Sequence, residues 1–361
     1  EMNHGKRMKI FYITATVMLS VILLFGISEV FSAYKSTENI VIETSVSADT
    51  TVILQTETTE KYTTTTKYTE TVIEALSEPT TCSVYPERDD NAQRFSNDYK
   101  SGYALLMNAD TKKVIAYRNA NAQMYPASLT KIMSLIVAVE NIENLSDTVT
   151  ITEDMINPMI ELDASRAGFL PDETPTLEDL LYGMVLMSGA DATLAVAEYV
   201  AGSEMAFVQL MNEKAVELGL KSTHFTNAVG LHDNEHYSTA TDMALILEYA
   251  IQNEICRKII SAYEYKVPPT EKNPEGLTFT SNFFSRMYGD EMPGVTIQGG
   301  KTGYTDEAGN CIESFAEIKG ETYILVMCKC TDKWSAIYDT LSIYSVYGAD
   351  GEKYVPSSRR H

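Results

Sequence analysis

The chain has 361 residues with 44% hydrophobic content, enough for one large core or two medium ones. Its 28 Lys+Arg stand against 50 Asp+Glu, a net charge of -22, which excludes a polyanion such as nucleic acid as a natural partner. The five cysteines Cys82, Cys256, Cys311, Cys328 and Cys330 show neither CxxC spacing nor neighbouring histidines, so no metal or other cofactor is implied.

Residues 1–35 begin with Lys6, Arg7 and Lys9 and continue as an uncharged apolar run from Ile10 to Ile27. That length lies between a signal-peptide core of roughly 7–15 residues and a spanning helix of about 20. A cleaved signal peptide and a retained membrane anchor are both open, the long apolar stretch favouring the anchor, and either one exports the rest. Residues 36–95 turn to Thr, Ser and Glu around Thr63-Thr64-Thr65-Thr66. Such a composition buries too little apolar surface to offset its ordering entropy, and it predicts a disordered linker giving reach from a membrane.

Globular patterning starts at Tyr103. Ala104 to Met107 and Val114 to Tyr117 flank an Asn108-Ala109-Asp110 turn, which predicts a hairpin. Helical periodicity follows at 128–144, 177–187, 190–201, 204–218 and 240–252. Strand-like runs lie near 278–284, 312–316 and 322–328, with a last helix near 334–344. Strands at both ends and helices between them predict an α/β domain over 96–347, a sheet carrying helices with an inserted helical lobe. Cys328 and Cys330, two apart in a strand, are expected on one sheet face. The polar tail 348–361 leaves the N-terminal segment as the visible tether.

Three motifs carry chemistry. In Tyr125-Pro126-Ala127-Ser128-Leu129-Thr130-Lys131, Pro126 suits a helix start, and Ser128 and Lys131 share a helix face. There an amine can take the serine's proton, and the N–H of Ser128 can hold an oxyanion. Ser188 in Met187-Ser188-Gly189-Ala190 sits at a helix junction, either as an N-cap or as a hydroxyl aimed into a cleft. Gly299-Gly300-Lys301-Thr302-Gly303-Tyr304 lets a strand edge approach a ligand and offers a cation and a hydroxyl to a carboxylate. His224, His232 and His236 lie in a polar loop and are expected to be structural.

In this order the motifs resemble those of the penicillin-binding D-alanyl-D-alanine carboxypeptidases, which share their fold with the serine β-lactamases. Ser128-Leu129-Thr130-Lys131 matches S-x-x-K, Ser188-Gly189-Ala190 stands in the place of S-x-N, and Lys301-Thr302-Gly303 matches K-T-G. The resemblance, covering about 103–344, implies a β-lactamase/transpeptidase-like fold with an antiparallel sheet flanked by helices and the active cleft beside a helical lobe. It implies a Ser128 nucleophile, Lys131 as general base, Ser188 as proton relay, and Lys301 and Thr302 holding the terminal carboxylate. The backbone N–H groups of Ser128 and Tyr304 would form the oxyanion hole. Substrates would be peptidoglycan stem peptides, and β-lactams would be covalent inhibitors. Lys131 would be kept partly neutral by apolar neighbours such as Ile132 and Met133 and by the second cation, Lys301.

One position departs from the pattern. Ala190 stands where the family has Asn, so a contact to the substrate backbone is missing, or another side chain has taken it over. That departure keeps a weak or inactive wall-binding or sensor homologue as an alternative. A β-lactamase is the other, disfavoured because none of Glu213, Glu217 and Glu235 begins an E-x-x-L-N.

Overall fold

The computed structural model describes residues 42–46, 52–56, 84–287 and 292–355. The apolar run from Ile10 to Ile27 and Cys82 lie outside them. The chain divides into two units on either side of the Glu78–Pro79 bond. In the first, β1 (Ile42–Val46) pairs antiparallel with β2 (Val52–Thr56), a hairpin inside the stretch whose composition predicted no regular structure. No helix among the described residues is long and apolar enough to cross a membrane.

The second unit is built on a six-stranded sheet. Its strands are β3 (Gln93–Arg94), β4 (Tyr103–Asn108), β5 (Lys113–Arg118), β8 (Thr296–Thr305), β9 (Gly309–Ile318) and β10 (Glu321–Cys330), in the order β3-β5-β4-β10-β9-β8. All neighbours are antiparallel except the short β3–β5 pair. The predicted β4–β5 hairpin forms. A smaller hairpin, β6 (Glu264–Val267) with β7 (Leu277–Thr280), stands apart.

Period-two alternation gives the sheet two buried faces. Leu105, Met107, Phe315, Ile324 and Val326 pack on one side against the helical lobe, while Ala104, Leu106, Ile312, Leu325 and Met327 pack on the other. The second face is closed by Ile337, Leu341 and Tyr344 from the last helix and the turn after it. The lobe contains α1 (Thr130–Asn141), α2 (Glu153–Glu161), α3 (Leu177–Leu186), α4 (Ala190–Ala201), α5 (Glu204–Glu217), α6 (Ala240–Ala250) and α7 (Glu254–Ile260); the short α8 (Phe284–Met287) packs into the opposite core with α9 (Lys333–Ile343), which follows β10. Every residue of α1 from Thr130 to Ala138 is buried, which makes α1 the axis of the lobe. Local signals fix the ends of its neighbours: Thr176 and Asp179 form a capping box on α3, and Gly202, at φ 72°, ends α4.

Three expectations are corrected. The run 278–284 is not one strand: β7 ends at Thr280 and α8 starts at Phe284. Helix α2 escaped the periodicity reading because Pro158 sits inside it. Cys328 and Cys330 do not share a face. The β9–β10 register shifts between Met327 and Cys330, with Lys329 at φ 56°, so Cys328 joins the lobe-side core and Cys330 the opposite one. The four described cysteines are free and buried.

Candidate active site

The site gathers where the start of α1, the α3–α4 junction and strand β8 meet. Ser128 is presented by a single 3-10 turn, Ala127–Leu129, just ahead of α1 rather than in the helix proper. In such a turn residues three apart lie over one another, and the Lys131 Nζ donates to Ser128 Oγ at 3.2 Å. Ala127 holds a positive φ of 48°, an uncommon backbone for a residue with a Cβ, and lies buried against Gly230. Only glycine fits at 230: a Cβ there would stand 2.1 Å from the Ala127 carbonyl oxygen.

Lys131 is 2% exposed and donates its second bond, 2.5 Å, to the Val229 carbonyl. Burial pulls its amine down to about 7, while the Asp191 and Glu204 carboxylates act in the opposite direction. Burial is the first cause, and the Lys131 and Lys301 amines, which repel one another, both lie below the ordinary lysine range. A neutral fraction of Lys131 near pH 7 is what a base needs.

Ser188 does not cap α4, whose N-cap is Gly189. It has a left-handed φ of 59°, is 5% exposed, and its Oγ accepts from Lys301 Nζ at 3.0 Å. Lys301 is also buried and donates at 2.6 Å to the Thr302 carbonyl. Burial first, then the Lys131 and Arg286 cations, push its amine well below the usual lysine range, with Glu313 opposing. Ser128, Lys131, Ser188, Ala190, Thr302 and Tyr304 line one cleft, and the Lys301 amine reaches it through Ser188. The Tyr304 side chain points outward to Asp306, at 2.8 Å, so only its backbone is available to the cleft floor. A Cβ on Gly303 would sit 2.9 Å from the Ser128 nitrogen, so the absence of a side chain there lets β8 close on the serine.

His236 is not a loop residue in the solvated sense. It is 2% exposed, and its Nδ1 accepts from the Thr226 backbone N–H at 3.1 Å, which leaves Nε2 to donate to Thr130 Oγ1 at 2.8 Å. Burial lowers its pKa to about 4, so it stays neutral and steadies the residue next to Lys131. His232 lines the cleft rim beside Glu307, at 3.8 Å.

Val229, Gly230, Asp191 and Glu313 also shape the site and were missed in the sequence. Only the Asn227-Ala228-Val229-Gly230 turn left a trace, since Asn227 Oδ1 accepts from the N–H groups of Gly230 and Leu231 as an Asx turn does.

A buried amine bonded to one serine and a second buried lysine, on an edge strand, bonded to another serine thus meet on a mixed sheet-and-helix scaffold. The same scaffold is found in the Streptomyces K15 DD-transpeptidase, with a TM-score of 0.61, 26% identity, and coverage of 69% of this chain and 97% of that one. The Mycobacterium tuberculosis D-alanyl-D-alanine carboxypeptidase aligns with a TM-score of 0.58 at 26% identity, covering 66% of this chain and 88% of that one. These neighbours place the fold in the penicillin-binding, β-lactamase-like class. The model of the D-alanyl-D-alanine carboxypeptidase family (peptidase S11) matches residues 89–331, and the chain belongs to that family. Among curated relatives, DacF of Bacillus subtilis is 37% identical over 219 residues, 59% of this chain and 53% of the relative. DacA of Escherichia coli is 36% identical over 226 residues, 59% and 52% respectively. The chain thus spans about half the length of these curated relatives.

Proposed function

We propose that this chain is a serine-type D-alanyl-D-alanine carboxypeptidase that removes the terminal D-Ala from peptidoglycan stem peptides through a Ser128 acyl-enzyme. The observation that carries the reading is the 3.2 Å bond between Ser128 and a buried Lys131 whose pKa is about 7. Lys131 takes the hydroxyl proton as Ser128 Oγ attacks the penultimate D-Ala carbonyl. The backbone N–H groups of Ser128 and Tyr304 hold the oxyanion. Ser188 passes a proton to the departing amine of the terminal D-Ala, and water then cleaves the ester, returning Ser128. Lys301 and Thr302 hold the terminal carboxylate, and β-lactams, which carry an equivalent carboxylate and amide, are trapped at the same serine.

The organisation that accompanies this reading has residues 1–35 as signal or anchor, a linker from 36, a catalytic domain running to 347 that takes in β3 and the buried Phe95 ahead of the expected start at 96, and 348–361 as tail. The enzyme would then be extracytoplasmic and held at the membrane by its N-terminal segment. The family match starting at 89 and the division of the chain after Glu78 support that order. The test is incubation of the chain with a pentapeptide ending in D-Ala-D-Ala. Stoichiometric release of free D-Ala with a tetrapeptide product is expected; a folded chain that leaves the pentapeptide intact speaks for the sensor alternative.

A further inference from the structure

Strand β9 buries one acidic side chain, Glu313, on the lobe-side face of the sheet. Glu313 stands opposite Lys301 in the β8–β9 register, and opposite residues of an antiparallel pair project to the same side. It is 0% exposed, and neither carboxyl oxygen has a hydrogen-bond partner among the described residues. The titratable groups that face it are Lys301 on β8, Cys311 on β9 and Cys328 on β10. Those that face Lys301 are Glu313, Lys131 of α1 and Arg286 of α8. Lys301 therefore has two cations and a single acid around it.

A buried carboxyl without partners is destabilising where an apolar side chain of similar volume would not be, so its place beside a site lysine points to function. We propose that Glu313 is a positioning residue that sets the charge of Lys301, the carboxylate and the ammonium forming together, and so fixes whether the cleft can hold an anionic substrate end. This rests on the reading of Lys301 as the carboxylate-docking cation.

Burial pushes Glu313 well above the usual carboxylate range while Lys301 draws it back. Burial and two cations push Lys301 well below the usual amine range while Glu313 draws it back. Each charge favours the other. With Glu313 neutralised, Lys301 keeps only its desolvation and its like-charged neighbours, and its amine is pushed further down.

The test uses the full chain in detergent with lysines labelled at Cε, the Lys301 signal being assigned by its loss in Lys301→Arg. In Glu313→Gln the Lys301 midpoint falls by about one pH unit or more, a tenfold loss of proton affinity, while Tm holds or rises. A second arm compares acylation by benzylpenicillin and by its uncharged methyl ester. Relative to wild type at the same pH, Glu313→Gln slows acylation by the carboxylate about tenfold at about pH 8 and spares the ester, and this deficit closes as pH falls. An unchanged Lys301 midpoint overturns the proposal, and so does a deficit equal at every pH and shared by the ester, which marks a packing role. If wild type is not acylated at all, the reading of the site fails, and the Lys301 titration still judges Glu313.

Discussion

Replacing Ala190 by Asn probes the one site position where this chain departs from the family motif. From sequence alone, Asn restores a contact to the substrate backbone, a gain of about 1–2 kcal/mol or roughly five- to thirtyfold in acylation, unless another side chain has taken the contact over. The packing around Ala190 instead points to crowding. Ala190 is 1% exposed and packs in a small apolar cluster with Met159 and Val229, flanked by Ala164, Leu194 and Leu231. Asn adds three heavy atoms there, and overpacking costs about 1–3 kcal/mol, with an unsatisfied buried amide adding to it. Ala190→Asn is therefore expected to lower Tm, by about 2–4 °C per kcal/mol for a domain of this size, and to leave penicillin acylation unchanged or slower. Adding Met159→Ala opens the space and should release the gain. The assay is stopped-flow acylation beside differential scanning calorimetry of the single and double variants. Faster acylation in the single variant with an unaltered Tm would refute the packing argument.

Lys131→Ala should abolish acylation, and Lys301→Ala should mainly weaken capture of carboxylate-bearing ligands, read as separate losses in the saturating rate and in half-saturation; equal losses of the saturating rate contradict that division. The pH profile follows from Lys131: its amine accepts a proton only when neutral, so acylation should rise with pH through about 7 and fall tenfold per unit below it, and a rate flat down to pH 5 would exclude Lys131 as the base. The buried neutral His236 adds an acid limit on stability. Its pKa of about 4 lies below the ordinary 6.5, so the unfolded chain binds more protons in that window and stability declines as pH falls from 6.5 toward 4; His236→Gln should flatten that slope in urea titrations.

The parts of this account legible in the sequence are those set by local pattern. Pro126, Ser128 and Lys131 announce their turn and shared face because three-residue spacing is a property of one helical turn, and the apolar runs Ala104 to Met107 and Val114 to Tyr117 around Asn108-Ala109-Asp110 announce the hairpin. What stayed hidden depends on partners distant in sequence. The pairing of Lys301 with Glu313 is a register fact across β8 and β9. The bond from Lys131 to the Val229 carbonyl spans 98 residues, and no side-chain pattern marks a backbone acceptor. The bulge at Lys329 reverses the face of Cys330 although the residues around it alternate regularly, because a bulge is set by strand pairing and not by hydrophobicity. Lys131 owes its lowered pKa to total burial, which Ile132 and Met133 hint at and which the packing of α1 inside the lobe completes.

The central claim is that Ser128, bonded to a buried lysine base, is the acylated nucleophile. Incubating the chain with a labelled penicillin, digesting it and locating the adduct by mass spectrometry tests this most directly, with Ser128→Ala as the companion. The account predicts one adduct, on the peptide carrying Ser128, and no labelling of Ser128→Ala at unchanged Tm. An adduct on Ser188 or any other residue, or undiminished labelling of Ser128→Ala, would contradict it.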